Sequence, residues 1–165
     1  STGCVDSIDE ERIGFMVHWK TAVIVKRRAY VGNIMLPGGQ VFEDRMMKSP
    51  LNQFDKFPDD NFHYVDVVVG DGDEIVHLEA FGDQILQFKR KYLYIIEVTD
   101  EGEEVIGSYQ GYGIENPGQV TQTKHGVAWA TSGGAYLYDG EDIIDLSKDS
   151  LASGRPHKLP KGVVI

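Results

Sequence analysis

Asp71-Gly72-Asp73-Glu74 sets three carboxylates within four positions, and carboxylate oxygens are the ligands that calcium takes. The run lacks the Asp-x-Asp-x-Asp-Gly ladder and distal Glu of a helix-loop-helix site, and Asp-Gly is a common hairpin dipeptide, so a turn is expected here. Asp139-Gly140-Glu141-Asp142 poses the same choice and receives the same answer. The histidines His18, His63, His77, His125 and His157 are scattered, and none forms the i, i+4 pair around a Glu that a helical zinc site requires. His63 and His77 fall in strand-like stretches, where a hydrogen-bonded sheet histidine is expected, since no third ligand is suggested. Cys4 is the single cysteine; it forms no internal disulfide and has no neighbouring cation to activate a thiolate. Ser49, Ser108 and Ser132 lack a Gly-x-Ser-x-Gly elbow. Gly70-Asp71-Gly72 and Gly111-Tyr112-Gly113 lack the third glycine and following helix of a nucleotide loop. The expectation is that the chain is not an enzyme, with no catalytic, cofactor-binding or metal-binding residues and no cofactor.

Contact chemistry is better represented. Lys26-Arg27-Arg28 and Lys89-Arg90-Lys91 both fall at expected hairpin tips, where solvated turns are favoured over phosphate contacts. Equivalent tips of successive repeats would project to one rim, and a basic rim on an acidic body would meet an acidic neighbour. The body is acidic: Lys+Arg 16 against Asp+Glu 26 leaves a net charge of −10, which disfavours a Lys/Arg grip on nucleic acid. Residues 148–165 read as an extended arm with Gly154, Pro156 and Pro160. Its apolar end, Val163-Val164-Ile165, is of a kind that adds a strand to a partner's sheet edge.

The elements that would position these groups are strands. Helical periodicity is almost absent, and short runs rich in Val, Ile, Tyr, Phe and Trp are broken about every ten residues by Gly, Asp, Asn and Pro, as in all-β proteins. Strands are expected at 15–19, 21–26, 29–35, 64–69, 75–80, 84–89, 92–99, 104–109, 119–124, 126–131, 135–139 and 142–146. Tyr92-Leu93-Tyr94-Ile95-Ile96 is apolar on both faces and must lie between two layers. The chain also repeats itself. The strand-turn-strand units around Lys26, Lys89 and Ser132 align, with offsets of 42 to 44 positions between the second and third (Ile85 to Val127, Tyr92 to Tyr136) and 63 between the first two (Lys26 to Lys89). A period of roughly 40 to 50 residues with four strands per unit is that of β-propeller blades. The longer first interval places extra loop residues in Leu36-Pro37-Gly38-Gly39 and in 49–58. The expected organisation is an N-terminal segment 1–12, a propeller-like domain 13–147 with blades near 13–62, 63–109 and 110–147, and a C-terminal arm 148–165. About three to three and a half blades fall short of the usual four, so the chain is expected to be a fragment of a larger propeller or to be completed by partners. The absence of an initiator Met agrees with a processed or partial chain.

The order of elements resembles a family. The stretch 71–89, Tyr92-Leu93-Tyr94-Ile95-Ile96, then Gly113-Ile114-Glu115-Asn116-Pro117-Gly118-Gln119-Val120, then Gly126-Val127-Ala128-Trp129-Ala130 and Gly134-Ala135-Tyr136-Leu137-Tyr138-Asp139-Gly140 are similar to β-propeller structural proteins of tailed bacteriophages. Arg45-Met46-Met47-Lys48-Ser49-Pro50 with Phe54 and Phe57-Pro58 resembles the segment preceding them, and the likeness covers about residues 19–146. The resemblance implies a structural part of the virion tail, in the hub, nozzle or adaptor region. It implies ring-like homo-oligomers contacting other tail or portal-proximal proteins, past which DNA moves without specific binding. The rival expectation is a carbohydrate-binding or glycoside-active β-propeller using Tyr109, Tyr112, Trp129 and Tyr138 as stacking platforms, although their places in alternating strands favour the core. No run approaches the ~18 apolar residues of a membrane helix.

Overall fold

The computed structural model describes residues 3–6, 16–36, 38–54, 64–65 and 69–146. They build an all-β architecture of antiparallel meanders. The strands are β1 (Gly3–Asp6), β2 (Met16–Val25), β3 (Arg28–Met35), β4 (Val41–Lys48), β5 (Tyr64–Val65), β6 (Ile75–Phe81), β7 (Gln84–Lys89), β8 (Tyr92–Thr99), β9 (Gly102–Gln110), β10 (Val120–Thr123), β11 (Gly126–Thr131), β12 (Gly134–Tyr138) and β13 (Ile143–Asp145). Three sheets hold them in chain order, β1-β2-β3-β4-β5, β6-β7-β8-β9 and β10-β11-β12-β13. The chain divides into two compact units, Ser1–Gly113 with the first two sheets and Ile114–Ile165 with the third. Among the described residues no helix is long and apolar enough to cross a membrane.

Several differences from the sequence expectation have physical causes. The stretches expected as two strands at 15–19 and 21–26 are one, since β2 runs unbroken through Lys20; Phe15 lies outside the described residues. Strand β4 was not expected at all. Glu43-Asp44-Arg45 breaks its alternation, yet Met46, Met47 and Lys48 are all buried, Met46 against the second sheet and Met47 in an apolar cluster of the first sheet's own residues. A short strand β1 also pairs with β2, from Gly3↔Trp19 to Asp6↔Met16, inside the stretch expected as a plain N-terminal segment. Of the strand expected at 64–69, residues 66–68 lie outside the described set.

In the first unit, the first two sheets share a core. Val25, Tyr30, Met46 and Val65 from one pack with Ile75, Leu78, Ile85, Ile96 and Val98 from the other. β2 and β6 run side by side, tied where the Leu78 amide donates to Thr21 Oγ1 at 2.9 Å. Asn33 adds a second tie, its Nδ2 donating to the Ile75 carbonyl at 2.9 Å. It reaches there because the β3/β4 register shifts between Gly32 and Ile34 and Asn33 takes φ +57°, a conformation Asn tolerates better than most residues. Strand β8 is buried from Leu93 to Ile96 and again at Val98, as its two apolar faces required. At one end of the interface the Lys48 ammonium lies 3.2 and 3.1 Å from the Glu103 carboxylate oxygens, and the Tyr30 hydroxyl donates to the same carboxylate at 2.9 Å. Burial, then the Glu103 charge, holds the Tyr30 phenol far above its ordinary pKa, so it remains a neutral donor.

The second unit is a single four-stranded meander. Leu137 and Ile144 form its core with Ala128 and Leu146. A one-turn 3₁₀ segment, Pro117–Gln119, leads into β10 and is fixed by a capping box between Asn116 and Gln119.

The sheets of the first unit approach most closely at Gly32, where an added Cβ would sit 3.2 Å from Ile75 Cγ2 and 3.3 Å from Leu78 Cδ1. Gly32→Val should therefore cost about 2 kcal/mol by overpacking, with Gly32→Ala costing less. Urea denaturation reads both, and an unchanged midpoint in the valine variant would contradict this packing.

Candidate functional site

Hairpin tips carry the charged groups, and the local sequence decides how each is held. Three tips share a design: Thr99, Thr123 and Thr131 each open a Thr-x-x-Gly turn ending in Gly102, Gly126 and Gly134. In each, the threonine hydroxyl donates to the glycine carbonyl, at 3.2, 3.0 and 3.4 Å, and accepts the amide two residues on, at 3.3, 3.1 and 3.0 Å. Glycine takes the φ of +145°, +144° and +152° that closes the turn.

The β2–β3 tip is built otherwise. Val25 pairs with Arg28, so Lys26 and Arg27 are the two central residues, at φ +47° and +64°. A type I′ turn demands positive φ at both, which is why Asn-Gly dominates such turns. Two long cationic side chains there cost roughly 1 to 2 kcal/mol each in backbone strain. The strain is held by neighbours: the Asn52 amide donates to the Arg27 carbonyl at 2.8 Å, and Arg28 Nη1 donates to the Ser49 carbonyl at 2.8 Å.

Around this tip lies a cleft of about 390 Å³ lined by Lys26, Arg27, Arg28, Leu51, Val98, Thr99 and Asp100. Lys26 Nζ stands 3.9 Å from Asp83 of the β6–β7 turn and 3.6 Å from Asp100 of the β8–β9 turn, both largely exposed, contacts that water screens heavily. Arg27 is exposed. Leu51, 44% exposed, and Val98 give the cleft an apolar side. Its lining brings three cations and Asp100 together, with Asp83 of the β6–β7 turn also beside Lys26.

The second basic cluster has a different fate. Lys89 is fully buried, its ammonium 2.8 Å from both carboxylate oxygens of Asp71 and 5.4 Å from the Tyr94 ring centroid. Tyr94 donates its hydroxyl to Asp71 at 3.2 Å, and burial, followed by the Asp71 charge, pushes the phenol to about 12. Arg90 Nε donates to Glu74. The Asp73 carboxylate accepts the amides of Arg90 at 3.2 Å and Lys91 at 2.9 Å. The acidic run at 71–74 is thus a connection between the first two sheets rather than the expected hairpin turn, and it clasps the Lys89-Arg90-Lys91 turn. The two basic clusters do not share a rim. Lys26 meets the β6–β7 and β8–β9 tips, whereas the β7–β8 turn carrying Arg90 and Lys91 lies at the other end of that meander.

Among the described residues no group of three His, Cys, Asp or Glu converges to hold a metal. His77 Nε2 lies 2.8 Å from Glu79, the hydrogen-bonded sheet histidine expected; His63 and His157 lie outside the described residues. Asp139 behaves as a turn residue, its Oδ1 accepting the amides of Glu141 at 2.9 Å and Asp142 at 2.8 Å. Trp129 and Tyr138 are buried, and Tyr109 and Tyr112 stack on each other, centroids 5.9 Å apart. A second cleft of about 400 Å³ is lined by His18, Trp19, Lys20, Asn33, Met35, Val41 and Glu43, but Trp19 packs against the Val31 and Ile34 cluster rather than lying open as a platform. Val163, Val164 and Ile165 fall outside the described residues. Sequence reasoning missed the cleft itself, because Leu51, Val98 and Asp100 approach Lys26 only through sheet packing; it also missed the role of Glu103 and Lys48.

No protein-family model matches the chain, and no curated protein matches it significantly.

The same contacts act on the Asp71 carboxyl. Burial opposes its charge, but the Lys89 hydrogen bond, the Asp73 amide, the Lys89 charge and the Tyr94 hydroxyl outweigh it, so its carboxyl titrates below the ordinary value. A depressed carboxyl contributes stability above its unfolded pKa of about 3.9 and loses it as pH falls through the folded value. Asp71→Asn should flatten the stability curve below about pH 4. At neutral pH it should cost about 3 kcal/mol by stranding a buried ammonium. Lys89→Met, which leaves only the partly exposed Asp71, should cost less; the reverse order in urea denaturation would refute this account of the pair.

Proposed function

We propose that the chain is a non-enzymatic structural component of a bacteriophage virion tail, in the hub, nozzle or adaptor region, where it forms a ring-like assembly with copies of itself and other tail proteins. The observation that carries this reading is the arrangement of the first unit: a five-stranded and then a four-stranded antiparallel meander in chain order, with β2 of one beside β6 of the next and a shared apolar core. Propeller blades arranged around an axis bring their successive sheets together in this manner. The order of elements that resembles phage tail propellers supports the same conclusion.

The charge of −10 fits a wall that DNA passes without adhering, since like charge opposes the phosphate backbone. The buried Trp129 and Tyr138 remove two of the four platforms that the carbohydrate reading expects. Light scattering after size-exclusion chromatography, with negative-stain images of the same fractions, tests the proposal. The expected result is a discrete oligomer several times the 18.4 kDa chain mass, with rings in the images. A stable monomer at tens of micromolar, outside any particle, would overturn it.

A further inference from the structure

The cleft at the β2–β3 tip has a shape and charge that folding alone does not call for. Its central pair, Lys26 and Arg27 at φ +47° and +64°, occupies positions where Asn and Gly would be unstrained. Local strain of this kind is kept where surrounding structure enforces it and function uses it. Here the strain aims Lys26 and Arg27 beside Arg28 over an apolar side made by Leu51 and Val98. The comparable charges of the second basic cluster are bound by Asp71 and Glu74, whereas Arg27 makes no ion pair among the described residues.

The occupant should carry a few carboxylates beside apolar side chains. A polyphosphate is disfavoured by Asp100 at the cleft and by having no apolar side chain to set against Leu51 and Val98. The chain itself displays a segment of the required kind. In the β12–β13 turn, Glu141 and Asp142 are exposed, the turn is set by the Asp139 carboxylate, and the half-buried Ile143 flanks it. We propose that the cleft receives the acidic turn Asp139-Gly140-Glu141-Asp142 of a second copy, with Arg27 meeting its carboxylates and Leu51 an adjoining apolar side chain. Such a contact joins different surfaces of two copies, the heterologous type that closes into rings or runs on as filaments. It rests on the ring reading above and names the contact.

The test exchanges the tip for an unstrained one. Lys26→Asn with Arg27→Gly should raise the melting temperature by about 4 °C or more, so loss of binding cannot be assigned to misfolding. A labelled peptide with the sequence of residues 138–143 should bind the full chain by fluorescence anisotropy and lose at least about tenfold in affinity to the exchanged tip. Glu141→Gln with Asp142→Asn should weaken self-association to a similar degree while leaving the melting temperature in place. Peptide binding that is absent or survives the tip exchange, or a single-stranded oligonucleotide that binds more tightly than the peptide, would overturn the proposal. Rings that form unchanged in both substituted chains would overturn this contact and spare the ring reading; a chain that is monomeric in every form would overturn both.

Discussion

Glu103 sits between two sheets with a lysine and a tyrosine directed at it, and the working end of the first unit depends on that arrangement. The Lys48–Glu103 pair is nearly sealed from solvent, both side chains being less than a tenth exposed. Burying two charges is expensive, and such a pair is often no more stabilising than a well-packed apolar substitute. What it does supply is registration. Lys48 ends β4, Tyr30 lies on β3 opposite it, and Glu103 follows Gly102 at the start of β9. Meeting at one carboxylate, they bring the β8–β9 turn beside the β2–β3 turn, and only then can Asp100 and Val98 complete a cleft around Lys26. An apolar core would tolerate a small slide of one sheet over the other more readily than this hydrogen-bonded group does.

The same logic operates at the other end with different parts. Asp71 and Asp73 belong to a connection rather than a strand, and their carboxylates hold both the buried ammonium of Lys89 and the backbone of the turn that follows it. A run of acids that resembled a cation site is spent on the protein's own cations. Two clusters of nearly identical composition therefore come to opposite ends: Lys89 is interior, while Lys26 and Arg27 stand at a surface cleft. The distinction is made by neighbours far away in sequence, with Asp71 lying 18 residues before Lys89.

That contrast marks how far the sequence could be read. Apolar runs and glycine turns revealed the all-β class and most strands, because alternation and positive φ are local properties. β4 stayed hidden because burial on both faces at Met46, Met47 and Lys48 erases alternation, and Glu43-Asp44-Arg45 mimics a loop. The repeated Thr-x-x-Gly turns were legible in principle, since the same spacing recurs at Thr99, Thr123 and Thr131 with the same hydroxyl bonds. The alignment of Lys26 with Lys89 matched composition but not position. Nothing local distinguishes a lysine that will be solvated from one that a later packing step will bury beside a carboxylate, so the candidate site was legible as a cluster and illegible as a cleft.

The tip conformation is where these threads meet. In the other hairpins of the first unit the turn residues suit their backbone: Gly82 takes φ +59° and Gly102 +145°. At the β2–β3 turn the side chains oppose the backbone they occupy, and long-range contacts from Asn52, Ser49, Asp83 and Asp100 hold them there. Consistency between local preference and global fold is the ordinary condition of a stable sequence, and departures from it concentrate where something other than stability is being served. Turn strain, a cationic surface on an acidic chain and an apolar side wall coincide at one place. The buried Glu103 carboxylate helps to assemble that place, and this links an otherwise costly internal charge to the cleft at the β2–β3 tip.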